Sequence, residues 1–411
     1  MTSSLRECSL DETLAKARAV APQLGITRVT DTTWLDRVGI PVFASIRPSA
    51  TRGSLCVNAG KGLRPAEAQV GAYMEAIEFA AAEFLPQKWD LIFLTPAEIA
   101  GQTAARFDFL DLCPLLGRRA AFDQRIPCVP ATDFTTGEQV LVPAELVFTP
   151  FHGFDGPRLF GSSSNGLSSG NSWLEATVHG LSELLERDVH AFTLLRDTSQ
   201  LVDLHSVTGH AADLVKLAAA ADLQVVLRST PNAFGLPFFQ AYLLEREDTA
   251  PVAIAFGAGL HAGRDIAAVR AIAEAAQSRL SHIHGGRDDI IDRHDYFESD
   301  AAEAESSATA RLRAKVSSGD RALDMRMVDD CSAAMTSIQA VGELLLERAT
   351  RVGVRQLLTV DLTPFPDSGL HVVRVLAPGL ESFQHDLQRV GRRLVAHAAP
   401  QRAQSEQEAV G

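Results

Sequence analysis

The fold class this sequence predicts is α/β, a mixed-sheet domain with helices packed on the sheets, and three observations carry that reading. Segments patterned as strands and as helices alternate along the chain without a strict βαβ rhythm. The composition is globular, with 46% hydrophobic and 22% charged residues among 411, ample material for a core. No internal repeat and no linker cuts the chain in two. Residues 25–395 are therefore expected to form one domain, preceded by a helical segment over 1–24 and followed by a disordered tail over 396–411.

The elements follow in order. Residues 9–23 have amphipathic spacing, with Ser9 placed to cap a helix and Pro22 near its end. Strands are expected at 26–30, 41–46 and 54–58, the last leading into the turn Gly60-Lys61-Gly62. A helix over 66–84 begins next to Pro65, where a first-turn proline is well suited. Short strands follow at 91–94 and 139–143, and 161–170 reads as a small-residue loop. That loop delivers the chain into a glutamate-rich helix over 171–188. Strands are expected at 223–229, 238–244 and 252–257, then a helix over 263–283. The Ala-, Ser- and Glu-rich stretch 295–320 reads as a mobile surface insertion. A helix over 332–350 and strands at 356–361 and 372–376 complete the domain.

A net charge of −13 leaves no basic stripe to displace counterions, so no nucleic-acid partner is expected. A polyphosphate is still admissible, because bridging cations can hold it among carboxylates. The five cysteines are odd in number and lack C-x-x-C spacing, which points to a reducing compartment, the cytoplasm. The first dozen residues have no apolar core, and no apolar run approaches membrane-spanning length. Neither signal peptide nor membrane segment is expected.

The glutamate-rich helix carries the chemistry. At about 100° per residue, Asn171, Glu175, His179, Ser182 and Glu186 share a face, with Glu183 at its margin. Leu174, Leu181, Leu184 and Leu185 form the opposite, apolar stripe. Solvated faces normally mix Glu with Lys or Arg, yet only Arg187 is basic here. Carboxylates stacked without partners repel unless a cation sits between them, and hard oxygen ligands suit Mg2+. Glu75 and Glu78 lie three apart on a second helix, and Arg270 and Glu274 four apart on a third. Taken singly, these are ordinary exposed faces or an intrahelical pair; together, three acid-bearing helices beside Gly- or Ser-rich turns can surround Mg2+ and a nucleotide, with Arg187 and Arg270 on phosphate oxygens. Gly60-Lys61-Gly62 fails as a Walker A loop, since Leu55 and Gly62 occupy positions that need Gly and Ser or Thr. The run from Gly257 to Gly263 is one residue too long for a dinucleotide loop, and His282 and His284 have a structural reading.

Three blocks of residues resemble the YcaO family. The first runs from Thr27 through Pro41 to Ile46-Arg-Pro48, then Gly60-Lys-Gly62 and Met74-Glu-Ala-Ile-Glu78. The second is Asn165-Gly-Leu-Ser-Ser-Gly170 with Glu175 and Glu183-Leu-Leu-Glu-Arg-Asp188. The third joins Arg270 to Arg279 with Gly286-Arg-Asp-Asp289 and Pro378-Gly-Leu-Glu381. The resemblance implies an ATP-binding fold unrelated to P-loop or kinase folds. It gives Glu75, Glu78, Glu175, Glu183, Glu186 and Glu274 as Mg2+–ATP carboxylates, and Ser168, Asn171, Arg187 and Arg270 as nucleotide contacts. Glu183, Glu186 and Arg187 stand nearest the chemistry in that scheme. Gly71 departs from the family, where many relatives have Ser. The resemblance further implies that a nucleophile adds to a peptide backbone amide and ATP phosphorylates the resulting oxygen. Azoline-forming members typically end in Pro-x-Pro-x-Pro, whereas this chain ends Glu408-Ala-Val-Gly411. Thioamide formation on a peptide or protein, with a TfuA-type partner protein, is therefore expected, and relatives often form homodimers. The alternatives are azoline cyclodehydration with a partner protein and, from another class, a noncatalytic nucleotide-binding regulator.

Overall fold

Three antiparallel sheets organise the chain in a computed structural model that describes residues 5–118, 123–286, 299–319 and 321–399. The first is a meander of β1 (Arg28–Asp31), β2 (Val42–Ile46) and β3 (Val57–Lys61), packed against α1 (Leu10–Val20) and α2 (Pro65–Ala81). Ser9 caps α1 in a reciprocal box with Glu12, as its spacing predicts. Gly60 lies inside β3, not in a turn: a Cβ there would meet the Ala68 carbonyl and Ala72 nitrogen of α2 at 2.1 Å. Gly71 abuts Gly60 in the same crossing, which accounts for a residue smaller than Ser.

A larger sheet holds β4 (Ile92–Leu94), β5 (Ile126–Asp133), β6 (Gln139–Pro143), β7 (Leu167–Gly170), β12 (Leu358–Asp361) and β13 (His371–Leu376). Its strand order is β4-β5-β12-β13-β7, with β6 paired to β5. β5 escaped the sequence reading because Pro127 and Pro130 interrupt its pattern. β7 lies within the expected small-residue loop, its Ser-rich backbone bonded to β13. Between β4 and β5 stands the short helix α3 (Pro96–Ala100).

The remaining sheet has the order β11-β10-β9-β8, from β8 (Gln200–Leu201), β9 (Gln224–Ser229), β10 (Phe238–Leu244) and β11 (Ile254–Leu260). Period-2 alternation on β10 sends Phe239, Ala241 and Leu243 to a core under α5 (Gly209–Ala220) and α6 (Arg264–His284). Phe238 faces a second core shared with β13, α4 (Trp173–Leu195) and a later helix, α8 (Ile338–Arg351). The glutamate-rich helix α4 is therefore gripped between two sheets, and its Leu181, Leu184 and Leu185 are buried there.

The segment 295–320, read as an insertion, contains helix α7 (Ser299–Ser317); residues 295–298 lie outside the described residues. Few large apolar residues suggested a mobile insertion, and Ala, Glu and Arg are strong helix formers that account for the helix within it. Val316 anchors α7 against Val226 and Leu244. A final helix, α9, occupies 392–399 and so includes the first residues of the expected disordered tail, 396–399; residues 400–411 lie outside the described residues. Glu381 caps α9 by accepting from the backbone nitrogens of Gly391 and Leu394 at 2.7 and 2.8 Å. Asp188 of α4, 1% exposed, pairs with Arg393. Burial pushes Asp188 up to about 6 despite that partner. Arg393→Ala is expected to cost about 3 kcal/mol, because it strands a buried carboxylate. Urea denaturation measures the loss, and an unchanged midpoint would remove the pair from the fold's stability.

Candidate functional site

Acids from α2, α4 and α6 meet where these helices pass between the sheets. On α2, Glu75 Oε2 accepts from the Ala59 nitrogen of β3 at 3.3 Å. One turn on, Glu78 accepts a hydrogen bond from Ser169 Oγ of β7 at 2.5 Å. Burial, with Glu75 and Glu183 as neighbours, pushes the Glu78 carboxyl up to about 8 against the pull of Ser169.

On α4, Ser172 supplies the N-cap by accepting from the Glu175 nitrogen, so Asn171 lies just outside the helix on which the sequence placed it. Asn171 Oδ1 accepts from Thr13 Oγ1 and Lys16 Nζ of α1, at 3.1 and 3.3 Å. Glu175, 1% exposed, accepts from Arg6 Nη1 and the Glu7 nitrogen, both at 3.1 Å. Glu183 faces Arg187, Glu186, Arg374 and Glu274; burial lifts its carboxyl to about 7. Glu186 is 4% exposed and accepts from the Leu260 nitrogen of β11 at 2.9 Å. Burial works against the Arg187 charge, but Glu186, Glu183 and Glu274 outweigh it and raise its pKa.

On α6, Glu274 accepts from Lys61 Nζ at 2.8 Å. Burial favours its protonation, but Lys61, Arg187 and Arg270 hold its pKa below the ordinary carboxylate value. Gly257 and Gly259 belong to β11 rather than to a phosphate loop. A Cβ on either would strike the α6 backbone within 2.3 Å, so they allow this helix to lie close on the strand.

The predicted residues from all three helices thus share one neighbourhood. Ser168 departs from expectation: its hydroxyl donates to the Ala176 carbonyl at 2.8 Å, and strand alternation turns Ser169 toward the acids instead. Arg6, Lys61, Ser169, His179 and Arg374 join the site. Lys61 had a signal in its glycine-flanked motif, and His179 in its place on the acidic face; Arg6 and Arg374 had none. Burial, with Arg6 and Arg270 alongside, keeps His179 well below its ordinary pKa and therefore neutral. Arg374 is fully buried and donates to the carbonyls of Val147, Ser163 and Asn165.

Among the described residues, no three His, Cys, Asp or Glu side chains form a ready-made metal cage. Mg2+ does not require one, since it keeps waters and typically takes one or two carboxylates plus phosphate oxygens. The donor set fits that mode. Glu78 and Glu183 are hard oxygen groups whose charged forms gain from a cation, and Arg270 Nε and Arg374 Nη2 are buried without hydrogen-bond partners. No described helix is long and apolar enough to cross a membrane.

Comparison with known proteins follows the same lines. The family model described as YcaO cyclodehydratase, ATP- and Mg2+-binding, matches residues 59–381. An uncharacterized protein of Methanothermobacter thermautotrophicus is 34% identical over 388 residues, covering 93% of this chain and 97% of its own. An uncharacterized protein in the tfuA 3′ region of Rhizobium leguminosarum bv. trifolii is 33% identical, over 90% of this chain and 87% of its own. The structure of YcaO from Methanopyrus kandleri bound with AMPPCP and Mg2+ superposes with a TM-score of 0.71 at 25% identity, covering 95% of this chain and 96% of that one.

Proposed function

The chain belongs to the YcaO family, and from that premise we propose that it uses ATP and Mg2+ to activate a peptide backbone amide for thioamide formation. The observation that carries this reading is the shared, half-buried neighbourhood of Glu78, Glu183 and Glu274, each from a different helix, with Lys61 and Arg187 among them. ATP supplies the phosphoryl group that turns a poor oxygen leaving group into phosphate, and Mg2+ neutralises phosphate charge.

This chain's residues bind and orient. Glu75, Glu78, Glu183 and Glu274 would hold the metal, with Glu175 and Glu186 fixing the helix positions from which it is reached. Arg187 and Arg270 would face phosphate oxygens, joined by Lys61 and Arg6. A sulfide nucleophile adds to the amide carbon, the former carbonyl oxygen takes up phosphate, and its loss leaves a carbon–sulfur double bond. The tfuA-region relative supports thioamidation and a TfuA-like partner. The family description as a cyclodehydratase favours the second reading, azoline formation from a neighbouring Cys, Ser or Thr.

Mass spectrometry of candidate peptides incubated with the protein, ATP and sulfide separates the two. A gain equal to exchange of oxygen for sulfur supports thioamidation, and loss of one water supports azoline formation. ATP bound but never hydrolysed in a peptide-dependent way would overturn both.

A further inference from the structure

An aromatic groove lies away from the acidic helices, beside β4. It encloses about 520 Å³, and its walls include Phe84, Trp89 and Phe154. Phe84 is fixed edge-on to Phe148 and Phe151, with centroids 5.1 and 4.9 Å apart, and Trp89 packs on Phe148 at 5.1 Å. Gly153 lets the opposite loop descend onto this wall; a Cβ there would sit 2.6 Å from Phe84. The groove is thus built on rigid stacking.

Two features beside it point to an occupant. β4 pairs only with β5 among the described residues, and its Phe93 carbonyl accepts from the exposed Arg125 Nε at 3.0 Å, so an added strand would take the place of that guanidinium. Ile92 and Phe93 on that edge are 46% and 42% exposed, and Phe93 meets Phe154 edge-on at 5.9 Å. Asp90 and Asp155 line the groove, and neither is ion-paired among the described residues. Apolar walls, unpaired acids and a strand edge covered only by an exposed guanidinium complement an extended peptide with alternating apolar and cationic side chains.

We propose that this groove holds the peptide substrate as a strand added to β4, with an apolar side chain in the aromatic cleft and Lys or Arg beside Asp90 and Asp155. The assignment rests on the reading of the protein as a peptide-amide modifier. β4 and β12 lie along the same edge of β5, with β6 on the other, and β7 lies two strands beyond β12. Ser169 of β7 binds Glu78, so the groove and the acids belong to different parts of this one sheet. The groove therefore recognises a segment displaced from the amide that reacts.

Fluorescence anisotropy with three labelled octapeptides tests this on the full chain. One alternates Lys with Val and Phe, one has Glu for every Lys, and one keeps Lys but carries N-methyl groups on alternate amides. The Lys peptide is expected to bind at least tenfold more tightly than either control. The double variant Asp90→Lys, Asp155→Lys, whose changes are on exposed side chains, should weaken it tenfold, as should Phe154→Ala, with ATP binding unchanged in both. Equal binding of the three peptides, absent binding of the Lys peptide, or unchanged affinity in both variants overturns the groove. Retained groove binding with no peptide-dependent phosphate release instead overturns the amide-activation reading and leaves the groove standing.

Discussion

Glu183→Gln is expected to lower peptide-dependent ATP turnover by roughly 10³-fold while leaving the fold intact. The side chain accepts no hydrogen bond from the described residues, and burial already pushes its carboxyl up to about 7. An amide of the same shape therefore removes a costly buried charge and no structural contact. What it loses is the charge that would meet Mg2+ between α4 and α6. Glu186 is different: it accepts from the Leu260 nitrogen, so Glu186→Ala orphans a buried donor and should also lower stability by about 1–3 kcal/mol. Phosphate-release kinetics beside thermal melts resolve the two cases. Wild-type turnover in folded Glu183→Gln removes that residue from the site.

Without metal or nucleotide, the protein should lose stability as pH rises from about 6.5 to 8. Burial pushes the folded Glu78 and Glu183 carboxyls up to about 8 and about 7, above the ordinary 4.5. Over that interval the folded state binds protons that the unfolded state has released, so raising the pH favours unfolding. His179, His190 and His261, all lowered from 6.5, act in the opposite sense, mostly below that value and fading out by about pH 7.5. Asp188 has finished its own contribution near 6. The two glutamates thus leave a net loss of roughly 1 kcal/mol, taken at about 1.4 kcal/mol per pH unit per proton. Mg2+ with a nonhydrolysable nucleotide should abolish the slope, because the cation takes the place of the protons. Melting curves at three pH values, with and without ligand, measure it; a flat or rising apo profile would contradict the crowding of these acids.

The parts of this site legible in the sequence were those written as periodicity. Acids at helical spacing identified α2, α4 and α6, and the scarcity of cations on α4 marked its face as unusual. Convergence in space was not written there, and neither were partners from distant strands. Ser168 and Ser169 are chemically alike, and only the pairing of β7 with β13 decides which faces the acids. Gly60, Gly257 and Gly259 looked like loop glycines because glycine marks both flexible turns and close helix–strand crossings. The proline-containing β5 escaped, and the helix in the Ala-rich segment went unread, because local pattern competes there with tertiary packing.

A helix held on two sides has no direction in which to yield. α4 lies between β10 and β11 on one flank and β13 on another, with α8 closing the core. Interiors packed to crystal-like density transmit strain and do not absorb it. Filled and empty forms should therefore differ in side-chain rotamers at Lys61, Arg6 and Arg187, while the α4 backbone stays in register. The enzyme's working parts are levers on a fixed beam.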